Sequence, residues 1–314
     1  MSVGANIEKR RYELRMSQQE LADAMGYKTR STIAKIESGE NDVSQKKLRK
    51  LAQALDTTVE ALITGSAAPQ PGPAPMPVFG DDKRNKNVAI ILAGGKSSLN
   101  RQNIPSQFLN VHAKPIIVYS MDAYQAHPSI DDIYVVCLKG WENIVKAYAR
   151  QYGITKLRGL IGAGSSGMLS LKNALDHIKI LYSPEDMIFV QESTRPMVTT
   201  ETISQLLQAC AEKGSATICH SMKEYVQFRV NGSGAEYIDR DSVIALQSPE
   251  AHRLSVLVEL FDRAQQRKHP LTESCCTMLL HHLGGNINFI ESSINNIKIL
   301  REEDIAAFRA SVKL

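Results

Sequence analysis

Polar and cationic side chains crowd one short stretch near the front of the chain, where Lys28, Thr29, Arg30, Ser31 and Thr32 follow one another and Lys35 stands one helical turn on. Lys and Arg donate to phosphate oxygens and to guanine edges, and Ser and Thr hydroxyls to either. Such a cluster can read a DNA duplex if it stands at the start of a helix that enters the major groove, where free backbone amides add further donors. A second chemical signal is Val88-Ala-Ile-Ile-Leu-Ala93-Gly94-Gly95, followed by Lys96: an apolar strand pattern running into a glycine turn whose backbone amides can cradle a nucleotide. The five cysteines (Cys137, Cys210, Cys219, Cys275, Cys276) suggest no third site. They are odd in number, follow no Cys-x-x-Cys spacing, and include an adjacent pair poorly placed for a disulfide, so buried reduced thiols are expected.

The elements that must position the first cluster are legible. Ser17 followed by Glu20 is a capping box that starts a helix running to about Met25, and Gly26 ends it. A second helix begins after Tyr27-Lys28-Thr29, carries Arg30 to Glu37, and stops at Ser38-Gly39. Two short helices around a glycine turn form a helix-turn-helix unit. Residues 1–65 are helical in pattern throughout, with about five helices around a small core of Ile7, Leu14, Leu21, Ala24, Ile33, Ile36, Leu48, Leu51, Leu55, Val59 and Leu62. This part holds eleven Lys and Arg against nine acids, a balance of only +2, so tight binding is expected to need a homodimer spanning two half-sites of a double-stranded operator.

Residues 66–86 contain five prolines between Pro69 and Pro77, which remove amide donors and favour extended geometry; a semi-rigid linker is expected. From 87 to 314 the pattern changes to strands alternating with helices. Strands are predicted at Val88–Leu92, Ile133–Leu138, Met187–Val190, Ala216–Cys219, Val243–Leu246 and Ile287–Glu291, with helices such as Ile116–Ala126 and Thr200–Glu212 between them. That order implies an α/β domain with a largely parallel sheet. From His220 to Arg240, alternating Val226, Phe228 and Val230 before Asn231-Gly232 predict a protruding β-hairpin.

The stretch Leu14-Arg-Met-Ser-Gln-Gln-Glu-Leu-Ala-Asp-Ala-Met-Gly26, continued by Ser31-Thr-Ile-Ala-Lys-Ile-Glu-Ser-Gly39, closely resembles the Cro/C1 repressor (XRE) family of DNA-binding domains, with one extra residue in the Tyr27 to Arg30 turn. The resemblance implies that Gln18 hydrogen-bonds the DNA backbone; Gln19 beside it is expected to do the same, so that both fix docking without specifying sequence.

The second half resembles the cytidylyltransferases that act on 2-C-methyl-D-erythritol 4-phosphate and, in a sister branch, on ribitol 5-phosphate. The likeness rests on the glycine turn, Pro105-Ser-Gln-Phe-Leu109, Lys114-Pro-Ile-Ile117, Val190-Gln-Glu-Ser-Thr-Arg-Pro196, Asp239-Arg240 before Gln247-Ser-Pro249, and Asn296-Ile-Lys298. It implies a Rossmann-like nucleotidyltransferase fold with a β-arm used for dimerisation, and transfer of the CTP α-phosphate to a polyol phosphate, with Mg2+. It also implies that Ala93, Gly94, Gly95, Lys96 and Glu192 hold the nucleotide, and that Glu192, Ser221, Arg240 and Lys298 match retained site positions. Two phosphate-binding cations of the family fall on Leu99 and Ser106, and a further arginine on Gly167, while the acidic Thr-Asp-Asp reads Thr272-Glu273-Ser274. Lys96 and Arg101 stand close enough in sequence to substitute for the lost cations.

Composition adds bounds rather than a function. The 314 residues allow about two domains, and 43% hydrophobic with 22% charged residues is ordinary for a globular chain. The net charge of +4 permits nucleic-acid binding without requiring it. With no secretory signal pattern and no stretch of roughly 20 apolar residues, a cytoplasmic protein with no membrane partner is expected. The leading expectation is a DNA-binding transcriptional regulator whose catalytically degenerate cytidylyltransferase-like half dimerises and senses a nucleotide or polyol phosphate. The alternative is a working CTP-dependent cytidylyltransferase that carries a regulatory DNA-binding domain.

Overall fold

The computed structural model describes residues 2–65, 84–99, 104–293 and 295–312, so the expected linker lies outside the described residues up to position 83. The helical head comprises α1 (Val3–Glu13), α2 (Gln18–Ala24), α3 (Ser31–Glu37), α4 (Gln45–Ala54) and α5 (Val59–Thr64). Local side chains set their starts. The Ser17 hydroxyl accepts from the Glu20 amide at 3.1 Å while Glu20 accepts from the Ser17 amide at 2.6 Å, completing the expected capping box. Ser44 and Thr58 cap α4 and α5 from one side only, each hydroxyl accepting from an amide three residues on. Lys28 to Arg30 lie in the turn ahead of α3 rather than in its first turn.

Ile7, Leu21, Ile33, Leu51, Leu55, Leu62 and Ile63 are fully buried in the head. Three expected core residues are not: Leu14 caps α1 beyond its last inward turn, Ala24 falls on the outer face of α2, where Ala22 and Met25 face inward, and Val59 at the start of α5 is only partly buried. Gly4 decides how closely α1 approaches the end of α3, because a Cβ there would stand 2.4 Å from the Ile36 carbonyl oxygen, which is backbone and cannot swing aside. Gly4→Ala is therefore expected to destabilise the head by about 1–3 kcal/mol, read as faster amide hydrogen exchange in α1 and α3 of the full chain. Unchanged exchange in both helices would refute that packing.

The body begins with β1 (Asn87–Ala93), the short β2 (Asn110–Val111) and β3 (Lys114–Pro115), α6 (Ile116–Ala126), β4 (Asp132–Cys137), α7 (Glu142–Gln151), β5 (Leu157–Gly162) and α8 (Gly167–Ile178). It continues with β6 (Met187–Glu192), α9 (Thr200–Lys213), β7 (Ser215–Ser221), β8 (Gln227–Asn231), β9 (Gly234–Ile238), β10 (Ile244–Arg253), α10 (Leu254–Gln266), α11 (Cys276–His282), β11 (Phe289–Glu291) and α12 (Glu302–Ser311). The main sheet has the order β11-β7-β10-β6-β1-β4-β5 and is parallel except for β10, which runs against both neighbours. Helices cover both faces: Val88 and Ile90 of β1 join the layer of α8, α10 and α11, whereas Ala89 and Ile91 join the layer of α6, α7 and α9. A strand buried on both sides can be apolar without alternation, which explains the Val-Ala-Ile-Ile-Leu run.

In the main sheet the predicted strands are present, with two departures. β5 was not expected: its Leu-Arg-Gly-Leu-Ile-Gly sequence carries two glycines and a charge, which an edge strand tolerates. β10 runs seven residues past the predicted Leu246, through a register irregularity between Leu246 and Glu250. The predicted hairpin is β8–β9, with Phe228 opposite Tyr237 and Gly232 at φ +60 in the turn. The head rests on the body through α5 against α7, an Asn110 Nδ2 to Asp42 Oδ1 bond of 2.8 Å and a Glu60–Arg150 ion pair. All five cysteines are unpaired, and burial pushes the Cys137 and Cys210 thiols up to about 12. Among the described residues no helix is long and apolar enough to cross a membrane.

Candidate nucleic-acid interface and nucleotide pocket

Lys28, Thr29, Arg30, Ser31 and Lys35 are exposed on one side of the head, and Thr32 is half-buried. Thr29 and Ser31 share a hydroxyl hydrogen bond of 2.9 Å, which orders the turn before α3. Behind this surface lies a buried ion pair that the sequence reading missed. Arg11 Nε and one terminal nitrogen reach the two Glu37 oxygens at 2.7 and 2.9 Å, and Arg11 also donates to the Met16 carbonyl at 2.9 Å. Gln18 Nε2 donates to the same Glu37 carboxylate at 2.8 Å, leaving its second N–H for another acceptor. Gln19 is exposed and bonds Asp23 along α2 at 2.8 Å. The pair thus locks α1, α2 and α3 together, and the side chain expected to touch DNA backbone is part of the lock.

In the body, β1 delivers Gly94, Gly95, Lys96 and Ser97 to one wall of a cavity of about 540 Å3. Ala93 sits beneath, and the buried Gln107 side chain donates to the Ala93 and Gly95 carbonyls at 3.0 and 2.8 Å, pinning the glycine turn. Gly94 has no room for a side chain, since a Cβ would meet that of Ala163 at 2.4 Å. The opposite wall is the loop from Gly164 to Gly167 that opens α8, with the Gly164 amide bonded to Ser170 Oγ at 3.0 Å. Glu192, Ser193, Thr194, Ser274, Lys298 and Leu300 close the cavity. Ser106, where the family resemblance places a cation, lines this cavity and gives its hydroxyl to the Ser97 carbonyl at 3.0 Å. Leu99 packs half-buried against the apolar core, and Arg101 lies outside the described residues.

Glu192 stands between this cavity and a smaller adjoining one lined by Arg195, Gln247, Ser248 and Cys275. Its carboxylate takes Lys298 Nζ on one oxygen and Arg195 Nε, at 2.9 Å, on the other, and Arg195 also reaches the Asn296 carbonyl at 2.8 Å. The retained acid and the cations beside it are therefore paired with one another. Ser221 and Arg240 are not gathered here: Ser221 ends β7, and the exposed Arg240 bonds the Lys223 carbonyl at the base of the hairpin. Among the described residues that line the larger cavity Glu192 is the one carboxylate, and both its oxygens are engaged; Glu250 lines the smaller cavity and accepts from the Cys276 and Thr277 amides. Sequence reasoning named Gln107 only as part of a motif; a glutamine next to Pro105-Ser106 and Phe108 in an otherwise apolar stretch was the available sign of a buried structural amide.

Residues 87–313 match the family described as 2-C-methyl-D-erythritol 4-phosphate cytidylyltransferase, and residues 7–62 match a helix-turn-helix family. The ribitol-5-phosphate cytidylyltransferase of Lacticaseibacillus paracasei is 30% identical over 228 residues, 72% of this chain and 97% of that protein. A 2-C-methyl-D-erythritol 4-phosphate cytidylyltransferase of Clostridium botulinum is 25% identical over 222 residues, 70% of this chain and 95% of that protein. Among solved structures, 4-diphosphocytidyl-2C-methyl-D-erythritol synthase from Anaerococcus prevotii superposes with a TM-score of 0.62 at 18% identity, covering 72% of this chain and 97% of that one. The 2-C-methyl-D-erythritol 4-phosphate cytidylyltransferase of Francisella tularensis does so at 0.60 and 22%, covering 72% and 100%, and both confirm the fold. From residue 87 onward this chain belongs to the 2-C-methyl-D-erythritol 4-phosphate cytidylyltransferase family, and it carries a helix-turn-helix domain of the XRE type ahead of that body.

Proposed function

We propose that the protein is a sequence-specific transcriptional regulator whose cytidylyltransferase-like body serves for dimerisation and for sensing a nucleotide or polyol phosphate, with little turnover of its own. The observation that carries this reading is that two positions where the family resemblance places phosphate-binding cations hold uncharged side chains, which leaves Lys96 as the cation on the glycine-turn wall among the described residues. Transfer at the CTP α-phosphate needs fixed positive charge where charge develops on the leaving pyrophosphate, and Ser106 and Leu99 supply none. The groups around Glu192 are still present to bind a ligand, and a bound but unconsumed ligand can shift an equilibrium between dimer geometries. The side chains of Tyr225, Val226, Phe228, Val230 and Tyr237, all more than half exposed on and beside the β8–β9 hairpin, support a second copy of the chain as partner.

Incubation of the purified chain with CTP, magnesium and ribitol 5-phosphate or 2-C-methyl-D-erythritol 4-phosphate, with pyrophosphate as readout, tests the reading directly. The second reading, a working cytidylyltransferase, is favoured by the likeness to the Lacticaseibacillus paracasei protein along nearly its whole length and by Lys96 at the cavity rim. Family-like turnover that Glu192→Ala abolishes would establish it. For the head, sequencing DNA that co-purifies with the chain supplies the operator. On that operator Arg30→Ala is expected to cost about 1–3 kcal/mol and to relax specificity, whereas Gln18→Ala weakens binding to all sequences alike. Unaltered footprints in both variants would defeat the docking mode.

A further inference from the structure

Next to Ser274, which lines the pocket, His269, Glu273 and His282 bring three ligand atoms within 4.8 Å of one another. Glu273 Oε1 lies 2.9 Å from His282 Nδ1 and 3.2 Å from His269 Nε2. The Glu273 side chain is 2% exposed, and its second oxygen, Oε2, has no hydrogen-bond partner although it is buried. A carboxylate oxygen left without donors inside a protein is costly, so the Glu273 carboxylate has unmet capacity for positive charge beside the two imidazoles.

We propose that His269, Glu273 and His282 form a binding site for a divalent transition metal of the zinc class. Two imidazoles and one carboxylate suit Zn2+, Co2+ or Ni2+, whereas Mg2+ and Ca2+ require more oxygens. Metal–ligand bonds of about 2.0–2.1 Å in a tetrahedron place neighbouring ligand atoms about 3.3 Å apart, so the two separations to Glu273 Oε1 need to open by only a few tenths of an ångström, and the two imidazole nitrogens already lie within 4.8 Å of each other. His282 is 46% exposed, which leaves a route for the ion and room for a water as fourth ligand. The nitrogens that now face Glu273 coordinate as neutral imidazoles with the ring proton on the other nitrogen, which in the half-exposed His282 is Nε2. In His269 the proton moves to Nδ1, opening the long 3.3 Å contact from the Leu271 amide. Ser274 and Cys275, the two residues after Glu273, line the pockets described above, so an ion here braces that wall.

The test uses the full chain, stripped with a chelator and titrated first with Co2+ alone and then with Zn2+ in competition with a chromophoric chelator. The site predicts one equivalent bound and visible d–d absorption without a thiolate charge-transfer band. It also predicts a rise in unfolding temperature with zinc. His282→Ala, at a half-exposed position, and Glu273→Gln should each weaken zinc binding by at least the roughly 10- to 100-fold that loss of a supporting partner costs. No stoichiometric binding by the wild type, binding that survives both substitutions, or a thiolate band marking a cysteine site would overturn the proposal.

Discussion

Replacing Leu99 with Arg and Ser106 with Lys is expected to raise pyrophosphate release from CTP and ribitol 5-phosphate by about 10²- to 10⁵-fold, the range that a single preorganised transition-state cation contributes. Ser106 lines the cavity beside Lys96 and Ser97, so a lysine there can extend toward phosphates cradled by the glycine turn that Gln107 holds. Both replacements cost stability, because Leu99 is half-buried against the apolar core and Ser106 is buried with its hydroxyl on the Ser97 carbonyl, so the unfolding temperature of each single variant is measured beside its rate. The supporting architecture is already in place: Glu192, Arg195 and Lys298 are mutually paired and need no rebuilding. Single-turnover release of pyrophosphate, measured beside CTP binding, separates chemistry from affinity. A wild-type chain that already turns over near the usual enzyme rate of about 10 per second would sink the proposal that the uncharged Leu99 and Ser106 limit the reaction.

The second large effect concerns the head. Glu37→Ala leaves the buried Arg11 guanidinium without its carboxylate, and Gln18 without an acceptor, and is expected to destabilise the head by about 3–5 kcal/mol. Because whole domains are stable by only about 5–15 kcal/mol, operator binding should largely disappear while the body stays folded. The paired replacement Arg11→Met with Glu37→Leu removes both charges together and is expected to restore most of the stability, since an apolar pair of similar volume carries no uncompensated charge. Hydrogen exchange in α1 to α3, combined with operator binding in a double-mutant cycle, gives the coupling directly. A single substitution that changes head stability by less than about 0.5 kcal/mol would show that the pair contributes only what an exposed ion pair does.

Much of this was open to a reading of residues in order. The capping box at Ser17 and Glu20, the Gly26 stop, the doubly apolar β1 and the Asn231-Gly232 turn each depend on neighbours a few positions away, so spacing alone located them. Leu14 and Ala24 were misjudged because a periodic pattern does not say where the last inward-facing turn ends. The departures at β5 and β10 have a similar cause, since edge position and a register irregularity are properties of the sheet rather than of the segment.

The amino-acid order by itself determined the two halves, their fold classes and the polar turn before α3, because capping, turn geometry and hydrophobic periodicity act over a few residues. Only the tertiary structure decided which groups meet. It set Lys298 on Glu192 across 106 positions, spent half of the Gln18 amide on the Arg11–Glu37 pair, left Ser221 and Arg240 away from the pocket, and brought His269 and His282 to one buried carboxylate. Those meetings follow from strand order and helix packing, and a charged or polar side chain reveals its role only once burial has removed water as its partner.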